Sequence, residues 1–428
     1  MVEAARGFSA LYVLFSHLEG ALALRKDFPD FRFLIALFSD YAHEAVILFF
    51  LLSGFSIHYS SQNRPLNTPS GVLHYYALRL RRIYPIFVVS VALTLMLDVF
   101  GSVLGVGGFS GGRNVFDIRY LLEVLTFQTD RSYVSGIIAP VLPGNNPLWS
   151  LSYEVVYYAL YPAYWLVARR LGAIGGIVWG LAISLVAAFT GILSGPNHPG
   201  NVLGLYIIWC LGAYIGELRR RRDPPAQTSM YMLIAVTYVI AQSVWVIEYS
   251  GLGIAYEWLW GLLFFMVMLS FIMQPRSWPP SNRQRLALAL TILAGVVVIA
   301  VVSTRIELSR NPLDFYIKIV VVAAIALLCT ATPSPFGPNQ LACRLLWRFY
   351  PLGAVSYALY VVHYPIIRFA QKMLAQFELN KYFLLATLPV IAAIAYLLEC
   401  RLQPWINTKF PVRFANLQST MPASRKRP

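Results

Sequence analysis

Two polar residues in one apolar stretch open the chemistry of this sequence. Arg6, followed by Gly7, and His17 stand at the two ends of a run that is otherwise mostly apolar. Eleven residues at about 100° each return to nearly the same helical face, about 16 Å further along the axis. An imidazole held there can take a proton from a hydroxyl. An imidazole satisfied by a neighbouring helix fits the same spacing. A second group is Arg79, Arg81 and Arg82, ahead of Ile83-Tyr84-Pro85. Pro85 suits the first turn of a helix, and Arg79 and Arg82 share a face. Clustered guanidinium forks suit phosphates, or they simply anchor a basic loop. The third group runs from Asn145 through Pro147, Trp149 and Ser150 to Glu154. Asn-Pro marks a turn into a helix, on which Ser150, Glu154 and Tyr158 face one way. A carboxylate there can orient an imidazole, shuttle a proton or close an ion pair. The fourth, Ser356 to Pro365, places Ser356, Tyr360 and His363 on one face. Pro365 frees a backbone carbonyl inside that helix. His363 reads either as a structural or as a catalytic histidine.

The elements that carry these groups have to live in lipid. The 428 residues are 58% hydrophobic and only 12% charged, against about 45–50% and about 25% in soluble domains. A crossing helix needs about 20 apolar residues. On that rule candidate spans fall at roughly 8–24, 42–60, 84–104, 148–168, 173–193, 202–217, 230–247, 255–273, 286–304, 315–332, 352–371 and 382–400. The net charge of +15 sits in short loops, which argues for membrane orientation and against a nucleic-acid partner. Arg64, Arg79, Arg81 and Arg82, then Arg169 and Arg170, then Arg219 to Arg222, alternate with balanced or acidic loops such as that holding Glu248 and Glu257. Both termini are therefore expected in the cytoplasm. The long 105–147 connection then lies outside, and a long loop in a compact protein is often functional. Ser53-Gly54 permits close helix approach, and His58 reads as interfacial. No cleavable leader is evident, and the four Cys show no metal-ligand spacing. No resident metal or cofactor is expected.

Together these motifs resemble the acyltransferase-3 family of bacterial membrane O-acyltransferases. The R-G…H opening matches at Arg6-Gly7…His17, and FF-x-L-S-G-F matches at 49–55. The R-R-x-x-R-I-x-P pattern matches at Arg79, Arg82, Ile83 and Pro85, with Leu78 in place of the first Arg. W-S-L-x-x-E matches at Trp149 to Glu154, and the late S-Y-x-L-Y-x-x-H-x-P element matches from Ser356 to Pro365. Residues 170–340 resemble the family only in being apolar with short basic loops.

The resemblance implies an all-α polytopic transmembrane helix bundle of about 10–12 spans. It divides the chain into a membrane-embedded acyltransferase domain at 1–405 and a basic cytoplasmic tail at 406–428. It implies a bacterial inner-membrane enzyme moving an acyl group, most simply acetyl, from acyl-CoA to a glycan or lipid-linked saccharide. His17 and Glu154 are the expected catalytic residues, with Glu154 orienting or supporting the imidazolium. Arg6, Arg79 and Arg82 are expected to hold the donor's phosphates, with Trp149, Ser150, Tyr360 and His363 in support. The rival reading is a transporter or exporter of a saccharide or lipid-linked substrate. That plan predicts two related halves, and none is apparent.

Overall fold

The computed structural model describes residues 1–61, 66–111, 113–130, 139–194, 200–221, 253–273 and 344–412. Helix α1 (Val2–Leu22) is followed by short α2 (Arg32–Ser39), α3 (Ala42–Ser61) and α4 (Pro69–Val103). Short α5 (Ile118–Leu125) precedes α6 (Trp149–Ser194), α7 (Tyr206–Arg221) and α8 (Gly253–Met273). Then come α9 (Ser356–Gln376) and α10 (Thr387–Leu397), and a last short helix runs over Gln403–Lys409. Candidate spans 230–247, 286–304 and 315–332 lie outside the described residues, as does the tail from 413. The other nine fall on helices. Among the described residues the fold is a helical membrane bundle, with one short strand pair, Thr129–Asp130 against Ala139–Pro140. Among the described residues five helical stretches are long and apolar enough to cross a bilayer. Met96, Val99, Val178, Val186 and Phe189 point outward from them, as lipid-facing side chains must. The polar helices α1 and α9 are not among the five; their Arg, His, Glu and Ser residues lower their hydropathy.

Helix α6 is two spans in one run. Gly172 leaves helical geometry at φ 80°. A Cβ on Gly176 would lie 2.9 Å from Cε2 of Tyr164, a residue about 18 Å away in a straight helix. The chain has therefore doubled back.

Pro85 departs from the sequence expectation. It sits well inside α4, whose first-turn proline is Pro69, and the N-cap is Thr68, which accepts from Gly71 N at 3.1 Å. An interior proline leaves the carbonyl four residues earlier without its helical donor, and in lipid that group needs another partner. All three interior prolines of the described long helices have one. For Pro85 the carbonyl of Arg81 accepts from Gln403 Nε2 at 2.9 Å. For Pro162 that of Tyr158 accepts from Tyr75 Oη at 3.2 Å. For Pro365 that of Val361 accepts from Ser90 Oγ at 2.6 Å and from Asn145 Nδ2 at 3.0 Å. Each repair comes from another segment, so the prolines lock α4, α6, α9 and the chain after α10 in register.

Small residues set the closest crossing. A Cβ on Gly54 of α3 would run into the Trp209 carbonyl, and one on Gly212 of α7 into that of Leu51, as expected of the Ser-Gly pair. Gly7 of α1 and Gly353 meet in the same way, Gly7 against Phe349 and Gly353 against Glu3. His58, expected at the interface, is instead buried between Glu217 at 3.3 Å and Tyr161 at 3.3 Å.

Candidate active site

His17 lies five residues before the end of α1, and its rotation is fixed from behind. Ser16 Oγ donates to Ser39 O at 2.6 Å, and Tyr12 Oη donates to Leu37 O at 2.8 Å. With that face tied to α2 and its flank, His17 turns toward α9. There its Nδ1 lies 2.9 Å from Nε2 of His363, with the rings stacked at 5.1 Å and 24°. Tyr364 meets the His17 ring edge-on at 4.8 Å. His363 is fully buried, and its Nδ1 lies 3.1 Å from the Leu359 carbonyl.

The tautomers follow from that carbonyl. A carbonyl only accepts, so His363 Nδ1 carries a proton and the neutral ring's Nε2 accepts. His17 Nδ1 is then the donor, and the lone pair of neutral His17 is on Nε2. His363 stays in place because Asn145 and Ser90 grip α9 at Val361, two residues earlier.

His17 lines a cavity of about 520 Å³ with Val13, His43, Trp149, Tyr360 and Tyr364. Pro140, Val141, Asn146 and Pro147 of the long connection complete its wall. The connection is anchored: Asp98 Oδ1 accepts from Ser110 N at 3.0 Å, and Lys372 Nζ donates to Gly108 O at 2.6 Å. Gly144, at φ +81°, turns the chain into Asn145.

The sequence-selected residues divide into those at the cavity and those elsewhere. Trp149 and Tyr360 line it with His17, and His363 stands behind His17. Ser150 Oγ and Tyr360 Oη are 2.7 Å apart, and both reach the Pro147 carbonyl. Glu154 does not meet His17. Its Oε1 accepts from Ser53 Oγ at 2.9 Å and from Tyr158 Oη, about 7.5 Å below Trp149 by helical rise. The group paired with His17 is the imidazole of His363, not that carboxylate. The sequence expectation paired them because both are ionisable in apolar helices, which fixes neither depth nor rotation.

The arginines lie at the other end of the bundle. Gly7 sits against Gly353, Tyr357 Oη donates to Ile83 O at 3.0 Å, and Arg79 Nη2 reaches Ser60 Oγ at 3.4 Å. These contacts put the starts of α1 and α9, the Arg79–Arg82 turn and the end of α3 together. Arg82 is committed: its fork meets Glu399 at 2.6 and 3.1 Å. Arg6 pairs with Glu3 at 3.5 Å. Arg79 makes no ion pair among the described residues, and its buried Nε has no hydrogen-bond partner there. It borders a cleft of about 150 Å³ with Tyr84, Phe127 and Tyr158.

Sequence reasoning passed over His43 and misplaced Glu257. Glu257, read as an outer-loop charge, lies on α8 with its Oε1 2.7 Å from His43 Nε2. An adjacent His-Glu at the mouth of a span was the available signal. The partner is 214 residues away, beyond any local pattern.

A family model described as an acyltransferase domain matches residues 2–297. The Acyltransferase MdmB of Streptomyces mycarofaciens is 28% identical over 187 residues, 43% of this chain and 43% of its own length. The match thus spans less than half of that relative. No solved structure matches.

Proposed function

The chain belongs to the acyltransferase-3 family, and on that premise we propose that it moves an acyl group from acyl-CoA to a hydroxyl of a cell-surface glycan or lipid-linked saccharide. It is an integral membrane protein, assigned in this reading to the bacterial inner membrane with both termini in the cytoplasm. The observation that carries the proposal is the His17–His363–Leu359 chain at the cavity wall. It gives His17 a lone pair on Nε2, as a general base requires.

In this mechanism the acceptor occupies the cavity beneath the 139–147 segment, where Trp149, Tyr360, Tyr364 and Asn146 offer rings and polar groups suited to a hydroxylated ring. The donor approaches from the arginine end. Arg79 is the guanidinium best suited to a phosphate, since Arg82 is occupied by Glu399; Arg6 assists. His17 Nε2 removes the acceptor's proton as the oxygen attacks the thioester carbonyl. The C–O bond forms, the C–S bond breaks, and the proton passes from His17 to the departing thiolate. His363 Nε2 accepts from His17 Nδ1 throughout, holding the ring. Glu154 accepts from Ser53 and from Tyr158, which lines the cleft, and so holds the Tyr158 hydroxyl in place there.

The test is release of CoA thiol from acetyl-CoA by the purified chain in nanodiscs. His17→Ala should cost about 10²–10⁴-fold in kcat, the usual contribution of a positioned base, with the unfolding midpoint retained. Full activity in a folded His17→Ala protein would overturn the assignment.

A further inference from the structure

The mechanism leaves one polar pair in the cavity wall without a task. His43, in the first turn of α3, faces the same cavity as His17. Its Nε2 lies 2.7 Å from Glu257 Oε1 near the start of α8. Its face stacks on Trp149 at 5.7 Å and 17°. Beside it, Tyr256 donates to buried Glu44. Two successive residues of α3 thus meet two successive residues of α8 in opposite order, which fixes the depth and rotation of the His43 ring. A carboxylate only accepts, so Nε2 carries the proton and Nδ1 is the ring's second polar position.

We infer that His43, braced by Glu257, sets which hydroxyl of the acceptor reaches His17. The inference rests on the cavity being the acyl-transfer site. A base touching one hydroxyl leaves a polyhydroxylated ring free to turn about that contact. A second hydrogen bond, from a different helix, removes that freedom, and misplacement by about 1 Å is enough to penalise the wrong hydroxyl. Tyr360 is poorly suited to the task, because its hydroxyl is engaged with Ser150 and Pro147. His43 is locked on both edge and face, as a recognition group must be. Glu257 does not touch the acceptor; it is a positioning residue that acts through His43. Helix α8, which none of the sequence motifs marks, becomes part of the acceptor subsite.

The experiment uses the full chain in nanodiscs with acetyl-CoA and, as separate acceptors, the methyl pyranosides of glucose, galactose and mannose. Acceptor-stimulated thiol release and the ring position of the new ester are both measured. The wild type should respond to at least one pyranoside and esterify one position. His43→Gln should raise the acceptor KM about tenfold, the worth of one hydrogen bond, lower kcat by less than about threefold, and spread the ester over further positions. Glu257→Gln should do the same more weakly, because its amide oxygen still accepts from His43. Wild-type KM and a single ester position in a folded His43→Gln protein would overturn the inference, as would thiol release that no pyranoside stimulates. Wild-type protein that cleaves no thioester at all would instead sink the proposed function, a separate result.

Discussion

For His17 to act as the proposed base, the nitrogen facing the acceptor must carry the lone pair, so the tautomer has to be fixed. Here the deciding atom is a backbone oxygen, that of Leu359, acting through a second imidazole. His363→Phe keeps ring volume but deletes the acceptor for His17 Nδ1. We expect kcat to fall about 10²-fold with little change in either KM, measured by thiol release, because the ring would lose its fixed tautomer. The two arginines separate by partner. Arg79→Met should raise the KM for acetyl-CoA and barely move the unfolding midpoint. Arg82→Met should cost up to about 3 kcal/mol of stability and so lower the midpoint, since it leaves the buried Glu399 carboxylate without its cation.

Elements in this protein are positioned by what they lack as much as by what they bury. The α3–α7 crossing depends on two missing side chains, Gly54 and Gly212. Gly54→Ala places a methyl group against a backbone carbonyl that cannot rotate away. It should lower the midpoint by several degrees, and it should also reduce activity, because Ser53 next to it holds Glu154 and α3 carries His43. The small pair was legible in the sequence, since Ser-Gly inside an apolar run signals close approach. The start of α4 was not. Hydropathy begins at Tyr84 because Arg79, Arg81 and Arg82 interrupt it, while the helix begins at Pro69 with a Thr cap. Hydropathy reports contact with lipid, and helical hydrogen bonding continues through a polar stretch. His17 and His363 were each legible as polar intrusions. Their pairing was not, because the two lie 346 residues apart.

On the scale of the molecule, the cavity with its histidines occupies one end and the arginines the other. This polarity matches donor and acceptor arriving from opposite sides. Lys26→Cys, just after α1, should react with a membrane-impermeant maleimide added outside intact cells. Lys409→Cys, beside the Phe410 carbonyl that accepts from Arg81, should react only after permeabilisation. The reverse pattern would invert the assigned topology. Composition alone made the membrane class legible, and loop arginines supplied the expected sidedness. Helix partners stayed hidden, because packing in lipid rests on small residues and dispersed polar contacts rather than on an apolar stripe.

The proline repairs bear on how such a chain is made. A ribosome delivers Ser90 and Asn145 well before the Val361 carbonyl they will hold, which in the case of Asn145 follows 216 residues later. Until then these early polar side chains have only one another, Asn145 donating to Ser90 and Thr94 at 3.1 Å each. The early helices therefore enter as a provisional assembly, and the late arrival of α9 finishes the interior and the reactive histidine pair in one event. In the proposed mechanism biogenesis and activation coincide: a nascent chain halted before α9 would span the bilayer and yet lack the His363 imidazole that fixes the His17 tautomer.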